Sequence, residues 1–458
     1  MSRQVIIIGG GISGLAVLHY LRRKYQGRPE VQVRLLEKSE QLGGTIRTRQ
    51  EGSVLFEGGP NGFLDAKDGM PDLIRELGMD DALLPASPAS RERFISVKDK
   101  LHALPTGPLE FLRFQPLSIL DKLRIPFEMF VPKGNNRRES VYDFGKRRLG
   151  ENFSRYLLDP MVSGIYAGNA ETLHLESAFP RIFEIEQKYG SLLKGMVQIM
   201  KERKRAGQGE KVTGQPAGRL TSLKKGMGQV IDELSRRYAG HIQTGEEATA
   251  VRRTQEGYIV ETTKVKYFAD EVIVSTPAYR AAQALEPLSR DLSAALKEIP
   301  YAPIAVVGLV YAKSAFKAPP RGFGYLVPSS EKKSVLGVLF SSNIFAGRAD
   351  DEHVLMRVMI GGARNPEVVQ RSEAELLALA HAEVVRHCRA DERPGQHFLQ
   401  VVAAAIPQYT IEHPRIVNRI QNHVGAYPGV YLAANYLGGI SMNDCVKNAK
   451  FLVERLPI

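Results

Sequence analysis

Four consecutive β-branched residues, Val5-Ile6-Ile7-Ile8, run straight into Gly9-Gly10-Gly11-Ile12-Ser13-Gly14, and this junction constrains the fold more than any other feature of the chain. A strand with no polar alternation is one buried on both faces, as in a parallel sheet covered by helices. Beyond the glycines, Leu15, Leu18 and Leu21 recur at helical spacing, so the segment reads strand, turn, helix. Gly9 permits the tight turn, Gly11 lets backbone approach a pyrophosphate, and Gly14 lets helix lie close against strand. The start of that helix offers unpaired N–H groups and a partial positive charge to the phosphates. A second apolar strand, 31–36, ends at Glu37, 23 positions after Gly14. That is close to the ~20 expected for the carboxylate that accepts from ribose hydroxyls, and a carboxylate there disfavours a 2′-phosphate, which argues against NADP.

The 458 residues are too many for one ordinary core, so two or three domains are expected. The two cysteines, Cys388 and Cys445, are far apart and the ten histidines form no HxxxH or HExxH pattern, which argues against a disulfide framework and against a metal site. The longest apolar run, 304–312, is well short of the ~20 residues of a spanning helix, and the opening run lacks a signal-peptide cleavage site. A reducing, cytoplasmic setting is expected. Between Lys194 and Lys225 nine Lys and Arg face only two Glu, which concentrates much of the +12 net charge. This is either a solvated connector or a patch for an anionic surface or substrate; without interleaved aromatics, nucleic acid is not expected.

The patterning changes along the chain. Helical segments with Pro punctuation occupy 106–205, with helices expected at 111–114, 119–130, 142–149 and 192–200. Strands are expected at 243–251, 258–263 and 271–275, then at 305–310, 325–327, 335–340 and 354–360. A helix over 372–388, a strand at 430–434 and a closing helix over 444–455, capped by Asn443, complete the reading. If that closing helix points its N-terminus at a bound cofactor, its dipole favours negative charge there.

FAD rather than NAD is suggested by Leu42-Gly43-Gly44-Thr45-Ile46-Arg47, a second glycine pair just after Glu37, with Arg47 either at the phosphates or an ordinary surface charge. These motifs, with Val272-Ile273-Val274-Ser275-Thr276-Pro277-Ala278 and Gly438-Gly439-Ile440-Ser441-Met442-Asn443-Asp444, resemble the flavin-containing amine oxidase superfamily. Within it, Glu57-Gly58-Gly59-Pro60-Asn61, the run 101–107, the run 163–168, the run 322–328, Ile406-Pro407-Gln408-Tyr409 and Asn443-Asp444-Cys445 resemble the protoporphyrinogen oxidases, in order over nearly the whole chain. The resemblance implies an α/β multidomain fold with a Rossmann-like FAD domain of the p-hydroxybenzoate-hydroxylase type, a mixed-sheet substrate domain and an inserted helical domain. On that basis the FAD domain takes 1–88, 206–290 and 425–458, the substrate domain 89–105 and 291–424, and the helical domain 106–205.

The resemblance also implies the site. The cofactor would be held by residues 9–14, Glu37, Lys38, Gly44, Thr45, Arg47, Gly59, Pro60, Asn61, Gly62, Ala248, Ile440, Ser441 and Met442. The substrate would lie against Phe323, Gly324, Leu326, Leu339 and Met359, with Arg93 near a propionate. Some relatives carry an arginine where this chain has Asn61, so a second propionate anchor is not evident. The implied reaction is the oxygen-using, six-electron oxidation of protoporphyrinogen IX to protoporphyrin IX in haem synthesis, releasing hydrogen peroxide, with the flavin and no side chain abstracting hydride. Three successive oxidations can use one binding position through imine–enamine tautomerism. Coproporphyrinogen III, with four propionates, is the alternative substrate; amine or carotenoid oxidation is more distant. A carrier without cofactor, like the GDP-dissociation inhibitors, is disfavoured by the intact Gly9, Gly11 and Gly14. Expected partners are the porphyrinogen, oxygen, a haem-pathway enzyme and an anionic membrane surface on the inner face of the cell membrane, reached through the 106–205 helices unless these form a soluble lid over the substrate cleft.

Overall fold

The computed structural model describes residues 3–66, 68–205 and 218–457, apart from the side chains of Arg203 and Lys204. Most of the basic connector's glycine-rich centre, 206–217, lies outside the described residues. Strand Arg3–Ile8 is central in a five-stranded, wholly parallel sheet, with Val31–Leu36 and Ile242–Gln243 on one side and Glu271–Val274 and Val430–Leu432 on the other. Three distant stretches of chain therefore build one sheet. Helix Ile12–Lys24 follows the first strand and is buried from Ile12 to Leu21, because the closing helix Met442–Arg455 covers the side turned away from the sheet. Burial on every side explains why its pattern reads as nearly continuous apolar sequence.

A second sheet, of seven strands, runs in the order Gln396–Pro407, Tyr301–Ala312, His353–Gly361, Val335–Phe340, Gly324–Leu326, Phe94–Val97, Lys100–Ala103. Every pairing is antiparallel except that between Gly324–Leu326 and Phe94–Val97. Its two faces differ in chemistry. Tyr325, Val338, Val358, Met356 and Val307 share one face and pack into a core with Leu376, Ala380 and Val384 of helix Glu373–Cys388. The pleat puts Leu326, Leu339, Arg357 and Met359 on the opposite face, since Leu339 pairs with Arg357 and Gly337 with Met359.

Between Lys100–Ala103 and the basic connector lie helices Pro108–Arg113, Ile119–Phe127, Val141–Arg148, Asp159–Tyr166, Pro180–Tyr189 and Leu192–Arg205. Their centre is ionic. Arg148 is fully buried, bonded to Glu128 at 2.8 Å and to Glu186 at 2.5 Å. Three expectations need correction. The expected strand 243–251 is two strands, Ile242–Gln243 and Ala248–Arg253, in different sheets. The break falls at Gly245, with φ +62°, whose N–H bonds the Ser39 carbonyl. The closing helix begins at Met442 and its cap is Ser441, whose hydroxyl accepts from the Asp444 N–H at 3.2 Å. Asn443 is inside the helix and its side chain is spent elsewhere, on the Met70 N–H and the Leu64 carbonyl. Phe323 lies one residue before its strand rather than on it.

Candidate functional site

The glycine segments converge at the carboxyl ends of the parallel strands, where open parallel sheets bind their ligands. Helix Ile12–Lys24 starts at Gly11 with no side-chain cap, so its first N–H groups remain available. A Cβ on Gly14 would overlap the Gly9 carbonyl oxygen, whereas one on Gly11 would meet nothing within 4 Å. The first glycine is thus demanded by helix–strand packing and the second by space left for something else. Gly43 is bridged to Gly11 and its N–H donates to the Gly10 carbonyl at 2.8 Å, so the second glycine pair is built onto the first. Gly44 and Thr45 stand exposed beside it. Arg47 is partly buried and ties the loop by donating to the Leu42 carbonyl at 2.7 Å.

Glu37 accepts from the Gly10 N–H at 2.7 Å and from the Ser39 N–H at 2.9 Å. Each oxygen keeps a lone pair for a further donor. Lys38 next to it is exposed. Ala248 lies two residues past Glu246, whose N–H bonds the Glu37 carbonyl, and begins strand Ala248–Arg253. Gly59 is packed so tightly on Thr45 that a Cβ would overlap the Thr45 carbonyl oxygen, which seats the turn of Gly59, Pro60, Asn61 and Gly62 beside the glycine loops. Asn443 fastens Ile440, Ser441 and Met442 to the chain leaving that turn, through Leu64 and Met70. Tyr409 holds the other side: its hydroxyl accepts from the Gly439 N–H at 2.9 Å and donates to the Asn435 carbonyl at 2.5 Å.

Contacts among the described residues thus link the 9–14 loop to Glu37 and to the second glycine pair, the 59–62 turn to Thr45, and the 440–442 segment, through Asn443, to the chain leaving that turn. Sequence reasoning gave no role to two hydroxyls beside Gly9. Ser275 Oγ and Thr276 Oγ1, at the end of strand Glu271–Val274, are buried without partners among the described residues. Uncapped amides, a carboxylate with free lone pairs and orphaned hydroxyls fit a dinucleotide, whose phosphates and hydroxyls would satisfy them.

The substrate-side residues fall into two groups. Phe323, Leu339, Ile344 and Phe345 pack together, and the Arg93 guanidinium lies over the Phe323 ring, 4.8 Å from its centroid. Arg93 Nε is buried without a partner among the described residues, and burial lowers the pKa of this side chain. Leu326 touches the Gly164 position of helix Asp159–Tyr166. Met359 is only 9% exposed and packs with Ala167, Ala302 and Leu336, so it lies behind the wall as much as on it. Gly324, with φ +131°, is dictated by the strand itself: a Cβ would overlap the Val338 carbonyl oxygen. The ring-approach role expected for it is therefore not needed to explain a glycine there. Arg357, which the sequence did not single out, projects from the same face and donates to the Gly59 carbonyl at 2.5 Å. Its alternation with Leu355 and Met359 was the available signal, hidden by an arginine in an otherwise apolar strand.

Residues 12–456 match the profile of the flavin containing amine oxidoreductases. Human protoporphyrinogen oxidase is 30% identical, over 98% of this chain and 97% of its own. The coproporphyrinogen III oxidase of Bacillus subtilis is 25% identical, over 99% and 97%. A crystal structure from Exiguobacterium sp. 255-15, named as a candidate protoporphyrinogen oxidase, superposes with a TM-score of 0.83 at 25% identity, over 99% of this chain and 98% of that one. A nucleotide cleft built from three distant segments, and a family match spanning it from the first helix to the last, make this chain a member of the flavin-containing amine oxidoreductase family, with FAD as its cofactor.

Proposed function

We propose that the chain oxidises protoporphyrinogen IX to protoporphyrin IX, removing six electrons, with molecular oxygen as acceptor and hydrogen peroxide as its product. Arg93 carries this reading: a desolvated guanidinium with an unpartnered Nε and no carboxylate in ion-pairing distance among the described residues, set over the aromatic edge of an apolar wall. An unpaired buried cation is costly unless an anion arrives with the ligand. A porphyrinogen offers both a flat apolar macrocycle for Phe323, Leu326 and Leu339 and a propionate for Arg93. FAD, when bound, supplies the hydride acceptor and passes the electrons to oxygen. The chain's own residues bind and orient: the 9–14 loop and Glu37 hold the dinucleotide, and the 59–62 and 440–442 turns meet where the wall begins. Flavin chemistry needs no strong base on that wall, and Phe323, Leu326 and Leu339 provide none.

Coproporphyrinogen III is the second reading, supported by the near-complete match to the Bacillus enzyme. Anaerobic reduction of the bound flavin by each porphyrinogen separates the two. Faster bleaching by protoporphyrinogen IX is expected; faster bleaching by the tetrapropionate substrate replaces the first reading, and no bleaching by either removes both.

Peripheral attachment to the inner face of the cell membrane belongs to the same proposal. No described helix is long and apolar enough to span a bilayer. Leu109, Leu112, Ile119, Leu120, Leu123 and Phe127 are each more than half exposed, on helices that also carry Arg113, Lys122 and Arg124, and Phe130 is as exposed on the turn that follows. Apolar side chains interspersed with cations suit one anionic leaflet. Cosedimentation with anionic vesicles, lost when Leu120 and Phe127 become Ser, is expected; equal pelleting of parent and variant would remove this part.

A further inference from the structure

Arg357 sits in strand His353–Gly361, is 9% exposed and turns toward the Gly59 carbonyl. Its Nε has no partner, and no carboxylate lies within ion-pairing distance of it among the described residues. The nearby acid, Glu57, stands 4.0 Å from Arg348 and already accepts from the Met227 N–H and the Thr48 hydroxyl. One buried carboxylate thus faces two buried guanidinium groups. The cavity that Glu57, Asn61, Arg348 and Arg357 share amounts to about 10 Å³, room for no more than a single water. A substrate carboxylate cannot enter to balance the charge. Burial lowers the Arg357 pKa to about 10, which leaves it cationic at neutral pH. In a dry interior an unbalanced charge acts over several ångströms rather than being screened.

We propose that Arg357 sets the charge of the cofactor seat: held against Gly59, it favours the reduced, negatively charged isoalloxazine over the neutral oxidised ring. The inference rests on FAD lying against the 59–62 turn. Arg357 is in this sense a positioning residue, acting through the Gly59 peptide and through its field.

The test compares purified holoenzyme with R357Q and R357K by flavin content and by potentiometric titration. In R357Q the flavin content stays full while the preference for reduced over oxidised FAD falls at least tenfold, a midpoint drop of about 30 mV for a two-electron couple. R357K recovers most of that drop. A residue that merely supports the fold would change flavin content or thermal stability and leave the potential alone, so a full-flavin R357Q with an unmoved potential overturns the proposal. Should R357Q not fold, the unaltered holoenzyme decides. Its potential is expected to fall by about 30 mV per pH unit between about pH 5.5 and 7, one proton per electron pair, because the reduced ring stays anionic. A slope near twice that value overturns the proposal. A parent protein that takes up no FAD sinks the cofactor reading instead.

Discussion

Gly11 and Gly14 belong to one motif, yet the structure assigns them opposite physical constraints, and substituting each by alanine separates binding from folding. Gly11 has φ −74° and ψ 177°, extended backbone open to any residue, and its Cβ would project into empty space. G11A should therefore leave the apoprotein as stable as the parent or stabilise it by ~0.4–1 kcal/mol, through a less flexible unfolded chain. The added methyl stands where the diphosphate must approach backbone N–H groups. Losing one charge-assisted hydrogen bond, at ~1.5–3 kcal/mol, weakens FAD binding by roughly tenfold to a hundredfold. Gly14 reverses the pattern. Its Cβ would overlap the Gly9 carbonyl oxygen and crowd Ser275 Cβ at 3.3 Å, and both neighbours belong to the sheet ends that form the cleft. G14A should lower apoprotein stability by ~1–3 kcal/mol, the usual range for overpacking. Urea denaturation of the apoproteins and titration with FAD, followed by quenching of flavin fluorescence, measure the two quantities separately. If G11A binds FAD as tightly as the parent, the diphosphate does not pass over Gly11, and the cleft has been read wrongly.

Three further outcomes are expected. R93M should raise the KM for the porphyrinogen about ten- to a hundredfold, the scale of one lost charge-assisted contact, while flavin content and potential hold steady. R148M should leave the buried Glu128 without its cation, while Glu186 keeps Arg147, at a cost of ~3–5 kcal/mol, seen as faster proteolysis within 106–205. His413 is 3% exposed and stacked on Tyr409, and burial lowers its pKa to about 4. A depressed histidine favours the folded state above its unfolded pKa near 6.5, so up to about 3 kcal/mol should drain away as pH falls from about 6.5 to about 4, and H413Q should flatten that stretch of the stability profile.

How legible a residue was in the sequence depended on how local its constraint is. The first strand, its glycines, Glu37 and the second glycine pair lie within 47 residues, so their spacing could be read directly, although the strand also pairs with Glu271–Val274 and Gly9 packs on Ser275 and Thr276. The family resemblance brought in the 59–62 and 440–442 turns and the wall residues. Neither route found the side chains that fasten these distant parts together. Asn443 looked like a helix cap because Asn before an acidic residue usually is one, yet its amide bridges to Leu64 and Met70. Tyr409 entered only as part of the Ile406–Tyr409 resemblance, without a role, although its hydroxyl fixes the Gly439 turn. Arg357 interrupts an apolar strand, and no sequence pattern says whether such an arginine faces solvent, a partner acid or a ligand.

The placement of Arg357 midway along strand His353–Gly361, and of Arg93 just before strand Phe94–Val97, suggests how the site divides its labour. Both guanidinium groups are desolvated and neither has a carboxylate partner among the described residues, but their surroundings differ. Arg93 lies against an aromatic ring at the half-buried rim, where an incoming anion can reach it. Arg357 is sealed behind the 59–62 turn by a cavity too small for an anion. The same chemical group is thereby suited to recognition in one place and to setting electrostatics in the other. It follows that R93M and R357Q should have separable effects, the first on KM with the potential unchanged and the second on the potential with substrate affinity nearly unchanged. The double variant should show the two effects added, because sites with no shared partner couple weakly. A double variant whose losses fall well short of that sum would mean that one anion bridges both arginines, and the division drawn here between rim and seat would fail.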